Sequence, residues 1–200
     1  MSIINSFDKI KQEVKNLKTY TEPEIIAVSK TFDMEYVKPL VDHGHNHFGE
    51  NKVQEAEKKW QEIKKTMNNL KLHMIGRLQT NKAKKAVELF DYIHSLDSEK
   101  LAKKILEEQQ KQNKKPKIFI QINLGEESQK SGINKENLVD FYNFSKDLGL
   151  NVIGTMCIPP FEEDPTKFFD EMKNLNEKIG LNELSMGMSS DYLNAVEYKS

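Results

Sequence analysis

The side chain with the clearest chemical potential in this sequence is Lys30. It ends the segment 24–30 (Glu-Ile-Ile-Ala-Val-Ser-Lys), an apolar, β-branched run that is typical of a buried strand. A lysine at the end of such a strand is partly desolvated, which favours the neutral amine that forms a Schiff base with a carbonyl compound. Most lysines at the ends of secondary structure elements are simply solvated. Lys30 alone therefore leaves both interpretations open.

A second group of polar residues lies near the C-terminus, in the segment 184–191 (Leu-Ser-Met-Gly-Met-Ser-Ser-Asp). A glycine and small hydroxyls just before a helix leave backbone N–H groups and serine Oγ donors free to hold a phosphate. A plain helix N-cap formed by Ser189 or Ser190 explains the same residues equally well. The segment therefore indicates an anion site or a helix start.

The histidines His43, His45 and His47 and the single cysteine give weaker indications of a functional site than Lys30 does. His43, His45 and His47 alternate, but no nearby cysteine or carboxylate completes a tetrahedral metal site, so we expect a structural role and no bound metal. Cys157 is the only cysteine and lies in the apolar run 152–158. It therefore predicts a buried structural thiol, no intrachain disulfide and a reducing compartment.

Composition limits the remaining classes of function. The 200 residues, 37% hydrophobic and 30% charged, are enough for one core, and we expect one domain over residues 1–200. The 30 basic and 31 acidic residues give a net charge of -1, which disfavours nucleic-acid and membrane binding. Residues 1–18 have charges every few positions and lack the apolar core of a signal peptide or anchor. We therefore expect a cytoplasmic protein.

Strand-like and helix-like segments alternate along the whole sequence. The run 117–122 (Lys-Ile-Phe-Ile-Gln-Ile) is continuously apolar, which is typical of parallel strands covered by helices. The seven strand–helix units, which an amphipathic helix near the N-terminus precedes, predict an α/β fold of the (β/α)8 TIM-barrel type, with its eighth strand missing from this chain. An open doubly wound sheet is the alternative, but Gly-x-Gly-x-x-Gly does not follow the first strand. The predicted strands are near 24–30, 45–49, 70–76, 91–96, 117–124, 150–158 and 183–187, and the helices between them near 33–43, 51–66, 81–90, 98–113, 134–148, 165–180 and 190–199.

Six segments follow or end the predicted strands, where a barrel carries its functional groups. In this order they resemble the YggS/PROSC family, the pyridoxal phosphate homeostasis proteins, and the resemblance extends over about residues 4–198. The resemblance implies a fold similar to the N-terminal barrel of alanine racemase. The segments are 27–30 (Ala-Val-Ser-Lys), 47–51 (His-Phe-Gly-Glu-Asn) with 54–56, 75–82 (Ile-Gly-Arg-Leu-Gln-Thr-Asn-Lys), 131–132, 156–160 and 184–191.

The resemblance implies a cofactor and the residues that hold it. Lys30 would hold pyridoxal 5'-phosphate (PLP) as a Schiff base, with Asn51 beside the ring, and Ser185, Met186 and Ser189 would line the ring and phosphate end. The segment 76–82 would lie near the pocket mouth. The implied function is PLP binding for intracellular vitamin B6 homeostasis, without catalytic residues or turnover, and with PLP-dependent apoenzymes as recipients.

Two further expectations concern catalysis and the C-terminus. The alternative function is an amino-acid racemase that uses the same lysine, but racemisation needs a second base, which alanine racemase takes from an additional domain. An unrelated phosphate-binding barrel is disfavoured by Lys30.

Family members continue with an eighth strand carrying an Arg-x-Gly motif, so we expect this 200-residue form to retain PLP less well. Its open strand edges would also favour self-association, whereas the complete form is expected to be a monomer.

Overall fold

Seven parallel strands and eight α-helices alternate in the computed structural model, which describes residues 2–17, 23–125 and 131–200. The strands are β1 Ala27–Val28, β2 His47–Glu50, β3 Lys71–Met74, β4 Tyr92–Leu96, β5 Lys117–Gln121, β6 Val152–Met156 and β7 Glu183–Ser185. The helices are α1 Ile3–Asn16, α2 Met34–Asp42, α3 Val53–Thr66, α4 Ala83–Leu89, α5 Glu99–Gln112, α6 Leu138–Asp147, α7 Pro165–Lys178 and α8 Tyr192–Glu197. Short 3₁₀ helices, Thr80–Lys82 and Lys135–Asn137, precede α4 and α6.

The sheet follows the order of the chain, from β1 to β7, and every neighbouring pair is parallel. His94 Nδ1 on β4 lies 2.6 Å from the Ser185 hydroxyl on β7, although two strands lie between β4 and β7 in the sheet. This contact shows that the sheet is strongly curled. A curled parallel sheet with helices between its strands is the TIM-barrel arrangement. The predicted fold type is therefore confirmed, with seven strands among the residues described.

Side-chain alternation divides the sheet into two faces. On the helix-facing side, Phe48 packs against Trp60 of α3 with ring centroids 4.7 Å apart, and both residues are fully buried. On the inner side, His94 stacks on Phe119 with ring centroids 4.4 Å apart. Burial of each large apolar side chain contributes about 1.5–3 kcal/mol, so packing of the helices on the outer face contributes strongly to stability.

Helix α1 connects the two ends of the helical layer. Near β2, Asp8 lies 3.1 Å from His43 Nε2, and the Phe7 ring lies 4.6 Å from that of His45. Near β7, the Tyr192 hydroxyl of α8 donates to Glu13 at 2.5 Å. The first helix of the chain therefore holds the regions around β2 and β7 together.

The strand that carries Lys30 differs from the prediction. Only Ala27 and Val28 pair in β1, and Val28 is 43% exposed. Lys30 is exposed in a turn, followed by Thr31 with a φ of 67°. The predicted desolvation of Lys30 is wrong, because β1 pairs with β2 alone and is an edge of the described sheet.

The thiol agrees with the prediction. Cys157 is free and only 3% exposed, and burial raises the pKa of its thiol to about 12. It is therefore an inert core residue. Within the ranges that the structure describes, no helix has the length and apolar character needed to cross a membrane.

Candidate functional site

Lys30 and Asn51 lie just after the carboxyl ends of the neighbouring strands β1 and β2. The register pairs Val28 with Gly49, and the Ser29 N–H donates to the Gly49 carbonyl at 3.0 Å. Lys30 follows Val28 by two residues and Asn51 follows Gly49 by two residues, so both lie just beyond the ends of their strands. Lys30 has no hydrogen-bond or ion-pair partner among the residues described, so its amine is available to a ligand.

A buried carboxylate fixes the residue that precedes Lys30. Glu50 is fully buried, and its Oε1 accepts from Ser29 Oγ at 2.7 Å, Trp60 Nε1 at 2.8 Å and Lys59 Nζ at 2.9 Å. The Lys59 ammonium also donates to the Ser29 carbonyl at 2.6 Å. Both the side chain and the backbone of Ser29 are therefore tied to β2 and α3.

Glu50 was not identified from the sequence as a functional residue. The available signal was an acidic residue at a helix-facing position of an apolar strand, one residue before Asn51. A carboxylate at such a position needs buried donors.

The segment 76–82 packs against Asn51. A Cβ at Gly76 would lie 2.4 Å from the Asn51 carbonyl oxygen and 2.7 Å from its Cα, so only glycine fits there. Leu78 is buried and anchors the segment. The glycine therefore lets the loop after β3 support the backbone of Asn51.

The segment after β7 is less open than predicted. The Met186 N–H donates to Ser200 Oγ at 3.1 Å, and the Met188 N–H donates to Asp191 Oδ1 at 2.5 Å. The prediction that the backbone donors are free is wrong for these two groups, because nearby side chains occupy them. The N-cap predicted at Ser189 or Ser190 is also wrong, because α8 begins after Asp191.

The structure brings the predicted site residues together in two groups. Lys30 and Asn51 form one, at the ends of β1 and β2. Ser185 and Met186 form the other, half-buried at the end of β7, and Ser189 is exposed in the turn before α8. Among the residues described, no hydrogen bond joins the two groups.

A row of histidines crosses the inner face of the sheet and reaches the second group. His47 Nδ1 lies 3.0 Å from His73 Nε2, His73 Nδ1 lies 2.9 Å from His94 Nε2, and His94 Nδ1 lies 2.6 Å from Ser185 Oγ. These three histidines occupy β2, β3 and β4, and we call them the histidine row. His43 and His45 lie outside it, and no group of three metal-binding side chains occurs in the described part of the chain.

Burial keeps the histidine row uncharged. It lowers the pKa of His73 to about 2, with His94 as a further cause, and the pKa of His94 to about 3. Burial also lowers the pKa of His47. A neutral imidazole has one donor and one acceptor nitrogen, so all the hydrogen bonds in the row must point in one direction.

Replacement of Glu50 tests the support of Lys30. We expect Glu50→Gln to lower the free energy of unfolding by about 3 kcal/mol, because the Lys59 ammonium loses its buried counter-charge. Urea denaturation measures the change. The control Glu55→Gln, whose exposed carboxylate pairs with Lys52, should lose less than about 1 kcal/mol. Equal losses in the two variants would contradict the role of the buried network.

The histidine row predicts an acid-dependent loss of stability. The folded pKa values of His73 and His94 lie below the unfolded value of 6.5, so only the unfolded chain takes up protons between about pH 6.5 and pH 3. Each histidine should lower the free energy of unfolding by about 1.4 kcal/mol per pH unit as the pH falls through this range. Urea titrations from pH 4 to pH 8 should show a smaller slope for His73→Gln and an unchanged slope for His43→Gln.

The family models and curated proteins give a consistent match. Residues 6–200 match the family described as alanine racemase, N-terminal domain. The pyridoxal phosphate homeostasis protein of Aquifex aeolicus is 35% identical over 184 residues, which cover 87% of this chain and 80% of the relative. That of Pasteurella multocida is 34% identical over 214 residues, covering 98% and 91%.

Solved structures lead to the same family. PipY from Synechococcus elongatus, solved with PLP bound, is 32% identical with a TM-score of 0.83, and the match covers 96% of this chain and 94% of PipY. Alanine racemase from Clostridium difficile matches in fold, with 14% identity, a TM-score of 0.72 and coverage of 96% and 52%. From the sequence relatives, the matched domain and the curled parallel sheet together, the chain belongs to the family of pyridoxal phosphate homeostasis proteins.

Proposed function

We propose that this chain binds pyridoxal 5'-phosphate in a single domain of residues 1–200 and holds it for vitamin B6 homeostasis in the cytoplasm. The observation that carries the proposal is the exposed amine of Lys30, which has no partner within the described ranges, at the edge of the sheet where Asn51 follows the neighbouring strand. Support comes from PipY, a relative of similar fold with PLP bound. PLP supplies an aldehyde that forms a covalent bond with an amine.

The chemistry of the donors fits the parts of this cofactor. Lys30 Nζ would bind the aldehyde, and Asn51 would lie beside the ring. Ser185, Met186 and Ser189 are assigned to the ring and phosphate end. The half-buried hydroxyl of Ser185 and the exposed hydroxyl of Ser189 are both suited to donate hydrogen bonds to the acceptor oxygens of a phosphate. The positive φ of Gly187, 91°, turns the backbone between them.

The surroundings of Lys30 suit a protein that passes its ligand on. Lys30 is exposed, and two stacked aromatic rings stand beside its turn, Phe32 and Tyr36, with centroids 4.7 Å apart. Both rings are about half exposed, at 45% and 52%. PLP-dependent apoenzymes are the proposed recipients, since an open amine leaves the bound ligand within their reach.

Binding without turnover is favoured over racemisation. Racemisation takes a proton from one face of the substrate and returns it on the other, so an acid–base group is needed on each face. Lys30 supplies one. Two tyrosine hydroxyls are hydrogen-bonded to other residues, Tyr92 to Lys117 and Tyr192 to Glu13. The proposed role is therefore to hold the cofactor.

Lys30 should be the site of covalent attachment. PLP added to the protein should produce an absorption band. Borohydride reduction should then attach the cofactor irreversibly to the peptide containing Lys30. We expect Lys30→Ala to abolish the label with an unchanged free energy of unfolding, because the side chain is solvated. Lys82→Ala is the matched control and should keep the label. Label on Lys82, or spread over many lysines, would refute the assignment.

Racemase activity should be absent. Cofactor-loaded protein incubated with L-alanine in deuterated water should exchange the α-proton far more slowly than an enzyme, for which turnover is on the order of 1 per second or more. Proton NMR of the α-position measures the rate. Exchange at enzyme-like rates would establish the racemase alternative.

A further inference from the structure

The histidine row has an outer end at the protein surface. His47 Nε2 lies 3.4 Å from Glu24 Oε2, and the side chains of His47 and Glu24 are 13% and 75% exposed. The row therefore runs from a solvent-exposed carboxylate, through three imidazoles, to the Ser185 hydroxyl at the proposed phosphate end.

The carboxylate determines the direction of the hydrogen bonds. The negative charge of an ionised Glu24, 3.4 Å from Nε2, favours the tautomer of His47 that carries its hydrogen on Nε2 and has a lone pair on Nδ1. His73 and His94 must then also carry their hydrogens on Nε2, each pointing towards His47. At the inner end, His94 Nδ1 accepts the hydrogen of the Ser185 hydroxyl.

This direction is unfavourable for a phosphate ligand. A phosphate dianion offers only acceptor oxygens, and the Ser185 hydrogen is already committed to His94. Ser185 would therefore present a lone pair to the anion. To donate to the phosphate, Ser185 needs His94 to become a donor at Nδ1.

We propose that the histidine row reverses direction when a phosphate binds at Ser185, and that His47 then holds one additional proton beside Glu24. In the reversed row, His47 donates through Nδ1 to His73, His73 through Nδ1 to His94, and His94 through Nδ1 to Ser185. The Ser185 hydrogen points to the phosphate. This inference rests on the proposed function, since it assigns the phosphate end of the cofactor to Ser185.

The protons balance in this exchange. Before binding, His47, His73, His94 and Ser185 carry one exchangeable hydrogen each. After binding, His47 carries two, on Nδ1 and Nε2, and the others still carry one. The additional proton comes from solution, or from the phosphate when it arrives as a monoanion. Only N–H and O–H bonds form and break.

The outer end of the row is the place where a charge is tolerated. His73 and His94 are buried, whereas His47 reaches solvent and has the Glu24 carboxylate on its Nε2. Some of the other groups around His47 favour its charged form and others oppose it. His45 Nε2 lies 2.8 Å from the His47 carbonyl oxygen. The charged neighbours are Glu24 before β1 and Asp91 before β4, which favour the cation, and Lys71 on β3 and Lys117 on β5, which oppose it.

Nitrogen-15 NMR of the imidazoles tests the reversal directly, because it distinguishes a protonated nitrogen from one with a lone pair. In the free protein, we expect His94 to be protonated at Nε2. With PLP bound, the hydrogen should be on Nδ1 of His94 and on both nitrogens of His47. Pyridoxal, which has the aldehyde but no phosphate, should leave the row unchanged. His43→Gln and His45→Gln, outside the row, assign the spectra.

A binding measurement complements the spectra. Glu24→Gln removes the carboxylate that stabilises the charged His47, so PLP affinity should fall by up to about fivefold, the range for an exposed pair. Pyridoxal affinity should not change. Glu62→Gln, an exposed carboxylate on α3 paired with Lys65, is the control.

The outcomes separate this inference from the proposed function. PLP binding with His94 still protonated at Nε2, or with a neutral His47, overturns the reversal alone. An equal loss of PLP and pyridoxal affinity in Glu24→Gln also overturns it. Absence of any PLP binding overturns both proposals.

Discussion

The hydrogen bonds to the Glu50 carboxylate are the constraint on which the edge of the sheet depends. A buried carboxylate is costly unless it is paired and hydrogen-bonded. Its Oε1 receives three donors, from Ser29, Lys59 and Trp60. Because β1 has only two paired residues and, within the described part of the chain, a single neighbouring strand, the ladder alone fixes it weakly. The network therefore supplies the rigidity that an edge strand lacks, at the residue before Lys30.

The two faces of the sheet have separate roles. On the outer face, the carboxylate network and the apolar core hold the strands against the helices. On the inner face, imidazoles from β2, β3 and β4 replace an apolar filling and lead to the Ser185 hydroxyl. Because these rings are buried and neutral, each hydrogen bond determines the direction of the next. The outer face thus positions Lys30, and the inner face orients Ser185.

The fold was predictable from the sequence, whereas part of the site was not. Buried parallel strands leave continuous apolar runs, as in 117–122, and these are local features. β1 was predicted too long because its apolar run does not reveal that it lies at an edge. The histidine row was missed because His47, His73 and His94 are far apart in sequence and meet only across strands. The donors at Met186 and Met188 were predicted free because their acceptors, Ser200 and Asp191, are set by the local chain path.

The backbone around Lys30 explains why its amine points to solvent. Ser29 is held by the buried network, and two residues later Thr31 adopts a φ of 67°. A left-handed conformation is unfavourable for a β-branched residue and costs about 1–3 kcal/mol. The Glu50 network on one side and helix α2 on the other keep the chain in this turn, so the lysine leaves the sheet and does not enter the core. An enclosed lysine would protect its ligand, whereas an exposed lysine on a rigid support permits both capture and release.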